Sequence, residues 1–322
     1  MYQTILLKSL FLVLLVLVGI LIRHIKLISD KGQEDLGKIL VDILWPALIL
    51  SSIAGQLSAK DITDNLLLPL SAVITFSTGA FIGIITSRMF HFHGDEKNIF
   101  IYQSAVNNFI YFPLIFVMDM IPGRGAGLLF IHNLGYTVMI WIAGVPVLQG
   151  STAVSWPKRL KKIFSAGMCA TLAGIVIVFL KPHVKISGEV TGLFFQVADT
   201  FGKATLPIAM IIAGVEIYKL GVKSLRFDRW NIALGAVKVI AAPALLFIIG
   251  LFLYRIAALP RTVIIIFMLV NIMPVSINSV SLCLRYTKSP NLAAQSVVFT
   301  HLFGILCMPL YIFLIEKFFM VN

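Results

Sequence analysis

The chain has 322 residues, 59% of them hydrophobic and only 12% charged, with a formal net charge of +12 and a mean hydropathy of +0.98. A soluble domain of this length does not look like that; a polytopic α-helical membrane protein does. The basic excess falls mainly in short loops between apolar runs, which makes it a topology signal and rules out nucleic acid as its partner.

Ten apolar runs can be marked in chain order, at about 4–22, 36–54, 65–87, 98–120, 125–149, 163–180, 190–216, 231–254, 260–283 and 293–316, each near the length that spans a bilayer. The first run lacks a preceding basic stretch and a small-residue cleavage site, so it reads as a retained helix. Residues 1–149 form one five-span half, the basic segment 150–162 is a cytoplasmic connecting loop, and residues 163–322 form the second half. Loops after odd-numbered runs hold Arg23, Arg88, Lys158, Arg159, Lys161, Lys162 and Arg285 among others, whereas loops after even-numbered runs hold few, such as Lys60, Arg124 and Arg261. The positive-inside rule then places the odd loops in the cytoplasm and both termini outside, in a cell (plasma or inner) membrane. Five spans per half make the second half enter the membrane in the opposite sense, as an inverted repeat.

Weak internal similarity agrees. Phe130, His132 and Gly135 in the fifth run recur as Phe299, His301 and Gly304 in the tenth. Pro46 in the second run matches Pro207 in the seventh, with Lys38 and Asp42 before one and Asp199 and Lys203 before the other. Each pair has the i,i+4 spacing of a salt bridge on one helix face, which is the reading favoured for both. Asp42 is also a candidate for carrying a coupling proton, and a relay is the less favoured reading of Asp199 and Lys203.

The fourth and ninth runs carry the chemistry. Asn107-Asn108-Phe109-Ile110-Tyr111-Phe112-Pro113 puts two carboxamides and a helix breaker at mid-membrane, and Asn271, Pro274, Ser276 and Asn278 repeat the idea. Proline removes a helical hydrogen bond, and the freed backbone groups must find partners within the protein or its ligand. Two such breaks in corresponding places of two halves point to a transporter's binding site. A half-helix starting after each proline presents N–H groups and partial positive charge toward the midplane, suited to an anion; the preceding carbonyl ends suit a cation. Lys238 reads either as a fixed charge that attracts an anion or as a lysine snorkelling to the interface. His132 and His301 are candidate proton acceptors or ligand donors; His132, beside Asn133, is the better one, and packing is the favoured reading of His301. The cysteines Cys169, Cys283 and Cys307 look like small apolar residues. No metal, phosphate-loop or catalytic pattern is found, so neither a cofactor nor an enzyme is expected.

The order and spacing of these features resemble the auxin efflux carrier family in its compact prokaryotic form, which includes permeases for malate, malonate and similar organic anions. The resemblance is carried by Leu44-Trp45-Pro46-Ala47-Leu48, the asparagines before Pro113, Leu206-Pro207-Ile208-Ala209 with Gly214, Lys238 with Pro243, and Pro274. It implies an all-α fold of ten transmembrane helices, built as two inverted five-helix repeats whose fourth and ninth helices break and cross at Pro113 and Pro274. It also implies that Asn107 or Asn108 faces a substrate carboxylate. The family's usual Asn-Thr-Gly is replaced here by Asn107-Asn108, and Tyr111 stands where a glycine is usual, reshaping the pocket. The expected activity is alternating-access transport of a small organic anion, coupled to protons or sodium or uncoupled. The alternatives are a sodium-coupled carrier of the bile-acid-transporter fold and a membrane ligand sensor. A homodimer through scaffold spans follows by analogy only.

Overall fold

A computed structural model describes residues 2–150, 156–183, 188–221, 225–256 and 259–319. Among these, the chain is helical and forms no strand. We label the helices α1 (Tyr2–His24), α2 (Asp30–Ile53), α3 (Ala59–Met89), α4 (Gly94–Ala105), α5 (Tyr111–Met120), α6 (Gly125–Gln149), α7 (Trp156–Ile163) and α8 (Ala166–Leu180). After them come α9 (Gly188–Lys219), α10 (Arg229–Arg255), α11 (Arg261–Asn271), α12 (Asn278–Tyr286) and α13 (Pro290–Phe319). Six of them, α2, α3, α6, α9, α10 and α13, are long and apolar enough to cross a membrane unbroken.

Local chemistry starts these helices. Ser29, Ser165 and Asp228 each accept a hydrogen bond from a backbone N–H in the first turn that follows, and Ser58 and Asp61 form a reciprocal capping box,. Proline shapes the interiors. Pro46, Pro146 and Pro243 each follow one turn of π-helix, at Leu40–Leu44, Ile140–Gly144 and Val237–Ala241. A proline leaves the carbonyl four residues back without its donor and pushes it away, and opening the helix by one residue relieves the clash. Asp42 and Lys238 both ride on such turns.

Two corrections to the sequence reading arise here. Lys38 does not pair with Asp42. It turns back to Glu34 at 3.1 Å and Asp35 at 3.4 Å, because the π turn that begins at Leu40 breaks the i,i+4 register between Lys38 and Asp42. The equivalent pair, Asp199 and Lys203, is formed at 2.6 Å. The connecting segment 150–162 is not wholly loop: from Trp156 onward it is the helix α7, with Pro157 in its first turn, where a missing N–H is harmless. Residues 151–155 of that segment lie outside the described residues.

The helices pack in two groups. In one, α1 lies along the second half of α9, and α2 packs on α8 and on the first half of α9. In the other, α3 packs on α4, α6 and α11, while α10 and α12 pack on α13. Leu10, Leu14, Leu17 and Leu21 of α1 stay exposed, as side chains facing lipid would. The α1–α9 contact rests on glycine: a Cβ at Gly19 would strike the carbonyl of Ile211, and one at Gly214 the carbonyl of Val16. Small residues let backbones approach this closely. Gly19→Val and Gly214→Val are therefore each expected to lower stability by about 1–3 kcal/mol or more, as overpacking does. The thermal midpoint of the purified variants checks this.

Candidate functional site

Both interrupted runs are open where the sequence places polar residues, and their backbones meet. Helix α4 ends at Ala105, and Val106 turns extended at φ −98° and ψ 107°. Asn107 and Val275 then form an antiparallel bridge. The N–H of Asn108 donates to the carbonyl of Pro274 at 2.7 Å, and that of Ser276 to the carbonyl of Val106 at 3.2 Å. Thr300 accepts from the N–H of Val275 at 3.3 Å. Backbone groups freed by the two breaks thus satisfy one another, as a water-poor interior demands.

The end of α4 is closed by side chains from elsewhere. The Tyr136 hydroxyl donates to the carbonyl of Ala105 at 2.9 Å and accepts from the N–H of Asn107 at 3.2 Å. Lys238 Nζ lies 3.3 Å from the carbonyl of Ser104 and also bonds Asn107 Oδ1. Lys238 is only 2% exposed, so it does not snorkel. It places an ammonium at a helix carboxyl end, where partial negative charge gathers. Asn107 Nδ2 donates to the carbonyl of Val270 at 2.7 Å. Asn107 is thereby tied on both ends of its amide and belongs to the frame.

Asn108 points the other way. It lines a cavity of about 170 Å³ with Tyr111, Ser276, Asn278 and residues of α2 and α9, including Leu40, Val41 and Ala213. An adjoining cavity of about 220 Å³ is lined by Tyr111, Asn133, Thr137 and Asn278, with Val41 and Trp45 of α2 and Met168 and Thr171 of α8. Phe109, Ile110, Tyr111, Asn278 and Val41 wall both. Tyr111 begins α5 and Asn278 begins α12, and neither start has a side-chain cap. Asn133 Nδ2 is buried without a hydrogen-bond partner.

The structure therefore brings Asn108, Tyr111, Asn133, Ser276 and Asn278 together and leaves the other candidates out of the cavity walls. Pro113 does not sit at the break. It is the third residue of α5, inside the turn whose N–H groups have no helical partner anyway. Pro274 does sit in the break and contributes its carbonyl. Asn271 turns back on its own helix, donating to the carbonyl of Phe267 at 2.7 Å. His132 touches Asn133 at 3.3 Å and packs on Tyr136. His301 lies with Nδ1 2.8 Å from the carbonyl of Val297 and packs edge-on to Phe112. Asp42 is exposed, one residue from Val41, and Asp199 and Lys203 are occupied with each other. Among the described residues no cluster of metal-ligating side chains is present. Tyr136, Trp45 and Thr300 were missed as site residues; each is an ordinary core residue in sequence, and only its distant partners distinguish it.

A family model described as a membrane transport protein matches the chain twice, over residues 4–158 and 153–312. No curated protein matches it.

Proposed function

We propose that this chain, which belongs to the membrane transport protein family of auxin efflux carriers, is a secondary carrier of a small organic anion that binds where its two broken runs meet. The observation that carries the reading is the convergence of two uncapped helix starts, at Tyr111 and Asn278, with Asn108, Asn133 and Ser276 around two adjoining cavities. Helix starts offer N–H groups and partial positive charge, and the side-chain amides and hydroxyl add donors, the combination that suits a carboxylate. Each cavity is below the roughly 300–1,000 Å³ of drug-sized sites, which favours a small acid over a bulky one.

In this reading α4 with α5, and α11 with α12, are the fourth and ninth of ten spans arranged as two inverted repeats. Helices α3–α6 and α10–α13 carry the site, and α1, α2, α8 and α9 are the scaffold. The cavities lie between these groups, with α2, α8 and α9 on one side and the breaks with α6 on the other. Rocking one group against the other would open the site alternately to each face. Lys238 occupies the carbonyl end of α4 with a tethered cation, which speaks against a sodium ion held at that place. Asp42, beside a residue that walls both cavities, remains the candidate for proton coupling.

The test is flux of dicarboxylates, monocarboxylates and aromatic acids into vesicles containing the purified protein, under imposed sodium, proton and voltage gradients. Saturable uptake of a small carboxylate, unchanged when sodium is replaced, is expected. Sodium-driven uptake would overturn the coupling assignment, and saturable binding without flux would make the protein a sensor. Within this assay Asn108→Ala is expected to leave stability unchanged and weaken substrate binding by about 1–3 kcal/mol, the cost of a lost buried hydrogen-bond partner. Asn107→Ala is expected to reduce stability by a similar amount, about 1–3 kcal/mol, since it strands the Val270 carbonyl and Lys238. Thermal midpoints with and without substrate separate the two.

A further inference from the structure

A third cavity, of about 450 Å³, lies away from the breaks, between α6, α7 and the end of α12. Its walls include Trp141, Arg159, Lys161, Lys162, Arg285 and Tyr286. Four cations converge on this one space, and no acid is among the described residues that line it. Arg159 is only 7% exposed, while Lys161, Lys162 and Arg285 are exposed around it. Four like charges around one space make a positive potential there that attracts an anion. Trp141 and Tyr286 add an indole N–H and a phenolic hydroxyl, side chains typical of the headgroup level of a bilayer.

The location matches that depth. Helix α7 carries Arg159, Lys161 and Lys162 with Leu160, and Phe164 follows it directly; Leu160 and Phe164 are 47% and 63% exposed. A short basic helix with outward apolar side chains is the pattern of a segment lying in the membrane interface. Arg285 and Tyr286 end α12, so the cavity joins that helix to the segment linking the two halves of the chain.

We propose that this cavity binds a phosphate-ester anion, the headgroup of an anionic phospholipid, which bridges α7 to the end of α12. Arginine and tyrosine would hold the phosphate oxygens, arginine by paired N–H donors and tyrosine by its hydroxyl, while the two lysines supply charge at the rim. The acyl chains would run along the exposed apolar side chains of α7. This assignment is independent of which substrate the crossover binds.

The experiment is thermal unfolding of the purified full-length protein in neutral detergent, titrated with phosphatidylglycerol, with phosphatidylcholine or with inorganic phosphate. Phosphatidylglycerol is expected to raise the midpoint saturably and phosphatidylcholine is not. The combined Lys161→Gln, Lys162→Gln and Arg285→Gln variant alters only exposed side chains and is expected to weaken the apparent affinity about tenfold or more, from the attraction each basic residue exerts on anionic lipid. Lys60→Gln, an exposed lysine elsewhere on the chain, should titrate like wild type. An equal response to inorganic phosphate would keep the site and assign it to a soluble phosphate ester. Should the triple variant fold poorly, Lys161→Gln with Lys162→Gln is read in the same titration and should still show weaker binding. Phosphatidylglycerol responses that are absent, or identical in wild type and in both charge variants, would overturn the proposal.

Discussion

Under the carrier function proposed above, Lys238→Met is expected to leave a folded protein that has lost uptake of its substrate. Two effects on stability oppose each other. Methionine strands the Ser104 carbonyl and Asn107 Oδ1, which Lys238 Nζ now contacts, at about 1–3 kcal/mol for each unsatisfied group. It also removes a buried ammonium, whose desolvation costs several kcal/mol before its contacts offset it. These nearly cancel, so the thermal midpoint should stay within about 4 °C of wild type. Nothing offsets the loss of function. Asn107 would lose the partner that orients it, the bridge between Asn107 and Val275 would loosen, and the positive charge behind the cavities would be gone. Lys238→Arg should not rescue fully, because a planar fork does not fit a site built for one Nζ between two acceptors. Initial uptake rates and thermal midpoints of the same preparations check both halves. Wild-type uptake in Lys238→Met would reduce the lysine to a structural cap.

The two prolines are expected to behave differently, although the sequence places them alike. Pro274→Ala should abolish ligand-induced thermal stabilisation, whereas Pro113→Ala should be close to silent. Pro274 lies between Asn271, the last residue of α11, and Asn278, the first of α12, and its carbonyl accepts from Asn108. Alanine there would regain an N–H and the freedom to extend α11. Extension would pull Pro274's carbonyl position away from Asn108 and carry Ser276 and Asn278 off the cavity walls. Pro113 instead sits in the first turn of α5, five or more residues past the turn of chain at Val106–Asn108. Alanine there gains an N–H that the turn does not use, so stability should change by less than about 1 kcal/mol. Substrate-dependent shifts in the thermal midpoint of both variants test this. Equal losses in both would return Pro113 to the crossover.

The opening of the fourth run has a different cause from the one its sequence advertises. A proline is the local signal for a broken helix, and it marks the neighbourhood correctly. The break itself falls several residues earlier, because Asn107 and Asn108 exchange helical hydrogen bonds for a bridge to Val275 and a bond to Pro274. Those partners are more than 160 residues away in the chain, and no window of the sequence around Asn107 contains them. The ion-pair reading of Lys38 and Asp42 failed for a related reason. The spacing was right for an α-helix, but the proline-linked π turn at Leu40–Leu44 shifts the register, and Glu34 and Asp35 lie within reach on the regular helix before it.

Run length, charge placement and composition are local properties, and they were enough to make this a helical membrane protein with polar breaks in its fourth and ninth runs. The sequence also held the residues that reach the cavities, because polar groups at membrane depth are too costly to be incidental. What only the tertiary structure decided is which way each of them faces. Asn107 and Asn108 are adjacent and chemically identical, yet in extended backbone successive side chains point to opposite sides. One therefore meets Lys238 and Val270, and the other meets the cavity. Lys238 likewise reads equally well as an interfacial anchor or a buried charge until α4 ends beside it with acceptors to fill, since the depth of a side chain is set by its neighbours and not by its own position in a run.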